Sequence, residues 1–149
     1  MTPPRGRKPW RVWRLDEAKA LLEPALAEFP KDATLQRLRG QLHLKAGQPN
    51  QAVERLERAV DMAPRDEISR YHLGLAYNAV GRTAEATDQH QRVKAIQAEL
   101  QKLTDLSSEA TRNPWDADIR WRLAKLSKEM GNPQLAAMWE EAAKACEKR

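Results

Sequence analysis

Three histidines, one cysteine, a scatter of carboxylates and a basic start are the side chains with which this chain could do chemistry. His43, His72 and His90 fall in separate helical segments, and no two stand four residues apart beside a glutamate, as a helical zinc site requires. No metal site is expected, and the histidines read as solvated or surface-lining groups. Cys146 is the only cysteine, so neither an intramolecular disulfide nor a multi-cysteine metal site can form. It lies on the apolar side of the last helical stripe and reads as a small packed side chain. Glu140 and Glu141 are ordinary acids of an exposed helical face. There is no glycine-rich phosphate loop, no nucleophile elbow and no paired-cysteine motif. The expectation is a protein without catalysis and without a cofactor.

The charge points to a partner, and its distribution narrows which one. The 149 residues carry 26 lysines and arginines against 21 acids, a formal charge of +5. Arg5, Arg7, Lys8, Arg11 and Arg14 supply that whole excess, because residues 1–14 hold no acid and the remainder balances. Trp10 and Trp13 lie among them. Such a tail has two readings: a structural stub whose tryptophans cap the next helix, or a grip on nucleic acid or an anionic membrane surface through cations and stacking.

The elements that would position these groups are helices. Leu15, Ala18, Leu22, Ala25, Leu26 and Phe29 recur at steps of three and four, as do Val53, Leu56 and Val60, then Leu73, Ala76, Tyr77 and Val80. A further stripe holds Trp121, Leu123, Ala124 and Leu126. No segment alternates as a strand does between hairpin signals. Breaks fall at Pro30, Gly47-Gln48-Pro49, Pro64, Gly81, Pro114 and Gly131-Asn132-Pro133. The longest apolar run, Leu135 to Trp139, is far shorter than the roughly 20 residues of a membrane span. The first 15 residues lack the apolar stretch of a secretory leader. A cytoplasmic protein is the expectation.

The breaks repeat. Pro30 and Pro64, Gly40 and Gly74, Gly47 and Gly81, and Ala52 and Ala86 each stand 34 residues apart. With two helices per period, this register resembles the tetratricopeptide repeat family. Leu73-Gly74, Tyr77, Gly81 and Ala86 carry the likeness most clearly, and Leu123-Ala124, Gly131, Ala136 and Ala143 return to it. The resemblance implies an all-α fold of helix-turn-helix repeats stacked as a short right-handed α-solenoid, with one elongated helix before the last repeat. On that reading residues 1–14 are a tail or truncated first helix, and 15–148 form the repeat domain. Its parts are the second helix of repeat one (15–30), repeat two (33–66), repeat three (67–98), a helical insertion (99–114) and repeat four (115–148). One helix is expected over about 83–111, roughly 40 Å long if unbroken, with a possible break near Leu106-Ser107-Ser108. Pro24 should kink the first helix.

What the resemblance implies for function is a protein-protein interaction module, an adaptor or scaffold whose first helices line a concave surface. Arg37, Gln41, Lys45, Tyr71, Asn78, Trp121, Lys125 and Lys128 are the expected peptide-binding residues, offering cations and rings to a segment of acidic character. The alternative is that they are ordinary solvated residues. Some family members clamp a terminal carboxylate with a lysine and an asparagine; Arg37 and Gln41 replace that pair here, followed by Tyr71 and Leu75. Val93, Ile96, Leu100 and Leu103 form a seam that packs against the last helix pair or joins a second copy as a homodimer. Leu22 and Leu26 should be left partly uncovered, because repeat one lacks its first helix.

Overall fold

In the computed structural model, the backbone is described from Trp10 to Arg149 and side chains from Arg14 onward. Among these residues there are seven helices and no strand: α1 (Trp10–Glu28), α2 (Ala33–Lys45), α3 (Pro49–Met62), α4 (Glu67–Ala79), α5 (Thr83–Arg112), α6 (Ala117–Glu129) and α7 (Pro133–Glu147). The chain divides into two compact all-helical units between Val93 and Lys94, within α5.

The 34-residue register is built into the helix ends. Asp32, Asp66 and Asp116 each precede the first helix of a pair, and their carboxylates accept the free amides of its first turn: Leu35 at 2.9 Å, Ser69 at 3.2 Å and Asp118 at 2.9 Å. Each first helix then closes on a glycine in the left-handed region, with φ of 71° at Gly47, 81° at Gly81 and 76° at Gly131. The amide after the glycine reaches back to a helix carbonyl (Gln48 to His43 2.9 Å, Arg82 to Tyr77 2.8 Å, Asn132 to Ser127 2.9 Å). A side chain would strain that turn, which is why glycine recurs there.

In the first unit, α1 packs on α2, α2 on α3 and α3 on α4, with α4 also touching α2. Ala52, Leu56 and Ala59 are fully buried, and Val53, Val60, Leu73, Ala76, Tyr77 and Ala86 complete the core. Gly40 permits the closest approach: a methyl group there would lie 2.5 Å from Leu56 Cγ. Tyr77 donates its hydroxyl to Glu57 Oε1 at 2.7 Å, and that bond together with burial pushes its pKa up; burial is the larger cause.

A polar strut recurs with its chemistry exchanged. Gln36 on α2 donates to the Pro30 carbonyl at 2.8 Å and accepts from Arg55 on α3 at 3.4 Å. One repeat later, Arg70 on α4 donates to the Pro64 carbonyl at 2.6 Å and to Gln89 on α5 at 2.8 Å. Each strut ties the end of one repeat to both helices of the next. Amide and guanidinium have simply traded places.

Several expectations change. Helix α1 begins at Trp10, so Trp10–Arg14 continue the helix where a boundary at residue 15 was expected. It also continues through Pro24 to Glu28, one amide donor short. Leu22 and Leu26 are buried, because α2 packs on α1 directly; the exposed apolar residues of α1 are Leu21 and Phe29. Helix α5 is unbroken at Leu106-Ser107-Ser108. Ser107 and Ser108 donate their hydroxyls to the carbonyls of Leu103 (2.7 Å) and Thr104 (3.0 Å), a bond made within the helix.

The division into units has a chemical origin. One period after Val53, Glu57 and Val60, which face the next repeat, α5 has Thr87, Gln91 and Lys94, all exposed. Apolar residues resume farther along: Leu106 and Ala110 build the second core with Ile119, Leu123 and Leu126 of α6, while Leu103, Met130 and Trp139 pack against it. The expected insertion is therefore a core layer of the second unit.

Candidate functional site

The first helices of the repeats present a surface strip on α2 and α4. Gln41 and His72 join these helices across it. His72 Nδ1 lies 2.8 Å from the Ile68 carbonyl, which can only accept, so Nδ1 carries the proton, and Gln41 Nε2 rests against the imidazole 3.3 Å from both ring nitrogens. Tyr71 is about half exposed beside them, edge-on to His72 with ring centroids 5.4 Å apart and 6.5 Å from His90. Arg37 is held back: its Nε lies 3.5 Å from Asp66 Oδ2, and only 19% of its side chain is exposed. Lys45 and Asn78 are exposed at the ends of α2 and α4.

Sequence reasoning missed most of the apolar part of this strip, naming Leu75 only as a departure from the carboxylate clamp. Leu38, Ile68 and Leu75 are exposed alongside Tyr71. Their signal was the register itself, since Leu38 and Gln41 are one step of three apart, and Ile68, Tyr71 and Leu75 continue at three and four. The strip is more hydrophobic and less cationic than the candidate residues implied.

Trp121, Lys125 and Lys128 belong to the second unit. Trp121 Nε1 donates to Glu147 Oε1 at 2.7 Å, so the indole is anchored to the end of α7; Lys125 and Lys128 are exposed. At the same end the Arg149 guanidinium sits 3.8 Å over the ring of Trp115, itself an exposed tryptophan the motif did not flag. Cys146 is partly buried, with Sγ 3.7 Å from the Pro114 carbonyl.

Of the seam, Ile96 is buried and Leu103 packs on the second core, while Val93 is half-buried and Leu100 is the exposed member. In the tail, Arg5, Arg7 and Lys8, and the side chains of Trp10, Arg11 and Trp13, lie outside the described residues; Arg14 is exposed on α1. His43 is buried between α2 and α3, where Nδ1 donates to Gln48 Oε1 at 2.8 Å. Burial lowers its pKa, the Gln48 bond partly opposes that, and nearby Arg39, Lys19 and Arg55 lower it further. Among the described residues no three histidine, cysteine or carboxylate side chains gather as metal ligands.

Residues 14–76 match the family model for the tetratricopeptide repeat. These residues are tetratricopeptide repeats. The match takes in most of α1, all of α2 and α3, and most of α4. No curated protein matches the chain. Among solved structures, a crystal structure of MamA is similar at 17% identity and a TM-score of 0.55, covering 99% of this chain and 97% of that one. MamA MSR-1 C2 is similar at 19% identity and a TM-score of 0.52, covering 93% and 71%. MamA AMB-1 P212121 is similar at 20% identity and a TM-score of 0.53, covering 93% and 67%. At these identities the likeness is one of fold. It extends the helical-repeat architecture beyond the segment that the tetratricopeptide model covers. No helix among the described residues is long and apolar enough to cross a membrane.

Proposed function

We propose that this protein is a non-enzymatic interaction module, an adaptor or scaffold, that binds a polypeptide segment along the α2–α4 strip of its tetratricopeptide repeats. The observation that carries this reading is the exposure of Leu38, Ile68, Tyr71 and Leu75 together on helices that Gln41 and His72 hold in register. Exposed apolar side chains gathered on a rigid surface are the usual mark of a protein contact. Repeat arrays present their extended binding surface on such first helices. The partner segment is apolar or aromatic at its centre, and Lys45 favours acidic residues at one end. The reading fits a cytoplasmic setting, and it gives the basic tail and the Leu100 seam no part in recognition.

Affinity capture with the full chain, followed by mass spectrometry, tests it against Tyr71→Ala, Leu75→Glu, Trp121→Ala and Lys125→Glu. The expected outcome is a partner lost with the two α4 substitutions and retained with the two in α6. Partners unaffected by either α4 substitution would remove the strip as the binding surface. Salt-sensitive binding to RNA, DNA or anionic vesicles that disappears on deleting residues 1–14 would favour the tail instead.

A further inference from the structure

The opposite side of α4 carries a second feature. Arg70, Leu73 and Tyr77 form one stripe of that helix, and Ile68, Tyr71 and Leu75 the other; at 3.6 residues per turn the two point away from each other. A recess of about 370 Å³ opens on the first stripe, between α3, α4 and the beginning of α5. That volume lies in the range of small-ligand sites. Its accessible lining is mainly polar: buried Val60, Leu73 and the Tyr77 ring form the floor, and Glu57 and Asp61 stand one helical turn apart on α3.

Its other end is short of negative charge. Arg70 is only 8% exposed, yet its two hydrogen bonds go to a carbonyl and an amide, both neutral. They occupy two of the five guanidinium N–H groups. Among the described residues no carboxylate lies in ion-pair contact with it. Arg92 is the second cation lining the recess, its Nε on Asp88 at 2.8 Å. Burial first, and the proximity of Arg92 second, lower the Arg70 pKa, with Asp88 opposing. Glu57 is already engaged, accepting from Tyr77 at 2.7 Å and facing Arg82 at 3.8 Å. A buried guanidinium with neutral partners beside another guanidinium is stabilised by an added anion.

We propose that this recess binds a small carboxylate, with the acid group on Arg70 and Arg92 and its carbon skeleton toward the floor formed by Val60, Leu73 and Tyr77. Glu57 and Asp61 repel a second negative charge, so the recess selects a single carboxylate over phosphate, sulfate or a nucleic-acid backbone. They also favour a hydrogen-bond donor at the far end of the ligand. The same chemistry is offered by a free small acid and by an acidic residue of a partner polypeptide.

Titration of the full ¹⁵N-labelled chain, followed through the resonances of Arg70, Gln89 and Arg92, separates these cases. The probes are N-acetyl-leucine, its uncharged amide, a blocked leucyl-glutamate dipeptide, and sulfate. Saturable shifts are expected with the acid or the dipeptide, with the amide and sulfate weaker by about tenfold or more. Tighter binding of the dipeptide assigns the site to a polypeptide, and tighter binding of the free acid to a small molecule. Arg70→Gln is expected to weaken binding by about tenfold and keep the fold, because Gln36 already makes the equivalent bond to Pro30. Met138→Ala, at an exposed position of α7 outside the recess lining, is expected to leave this titration unchanged. Equal binding of acid and amide, undiminished binding by Arg70→Gln, or no saturable shift with any carboxylate overturns the proposal.

Discussion

Replacing Gly40 and Gly74 by alanine should have opposite consequences, although they occupy the same place in successive repeats. Both lie inside helices, so each substitution gains roughly 1 kcal/mol of helix propensity. The neighbours decide the rest. At Gly40 the new methyl group meets Leu56 Cγ at 2.5 Å, Cδ2 at 2.9 Å and Cδ1 at 3.2 Å. Leu56 is fully buried between α2 and α3 and has nowhere to go. Overpacking of this kind costs about 1–3 kcal/mol, leaving Gly40→Ala neutral at best and up to about 2 kcal/mol less stable. At Gly74 the methyl group meets His90 Nε2 at 2.7 Å and Cδ2 at 3.0 Å, the far end of a half-buried ring that can rotate away. Gly74→Ala should therefore keep most of its gain, up to about 1 kcal/mol. The last repeat already carries alanine here: Ala124 is followed at the same offset by Glu140, where Gly40 has Leu56 and Gly74 has His90.

Urea denaturation followed by circular dichroism measures both variants, and hydrogen exchange in α2–α3 and α4–α5 locates the change. A separation of at least about 1 kcal/mol is expected, with Gly74→Ala the more stable, or roughly 0.3–1 M between midpoints. Adding Leu56→Ala to Gly40→Ala should cost less than the two losses summed, since the new methyl group fills part of the space vacated. Equal stability of the two glycine variants, or a larger loss at Gly74, would refute the argument that the facing side chain sets the effect.

The struts and His43 yield two further tests. Gln36→Arg alone sets a second guanidinium against Arg55 and should cost about 1 kcal/mol; adding Arg55→Gln recreates the Arg70–Gln89 layout and should recover most of it, read as a double-mutant cycle in urea. His43 has a folded pKa below its ordinary value of 6.5. The unfolded chain therefore binds this proton more readily, and the stability present above about pH 6.5 is lost as the pH falls through the folded pKa. Midpoints between pH 7.5 and 5 should decline in the wild type and decline less in His43→Gln; parallel curves would show that His43 does not carry the dependence.

The repeat register and the all-helical character were legible in the chain because they rest on local chemistry. Asp66 caps a helix and Gly81 ends one wherever the rest of the protein lies, and Pro30 and Pro64 mark the same corner twice. Small residues at Gly40 and Ala52 announced close helix pairs for the same reason. The candidate site was legible as positions only. Helical spacing could place Arg37, Tyr71 and Trp121 on first helices, yet it could not say that Asp66 draws Arg37 aside or that Glu147 anchors Trp121. Those partners are 29 and 26 residues away in the chain. Ser107 and Ser108 looked like a break because their hydroxyls compete for backbone bonds, and within α5 they turn to carbonyls of the same helix. The recess beside Arg70 has no sequence signature either, since it is assembled from three helices whose contributing residues are unremarkable alone. Sequence periodicity specifies which face of each helix is apolar. Which charges meet across the faces, and which guanidinium is left without a carboxylate, is decided by helices that only the folded chain brings together.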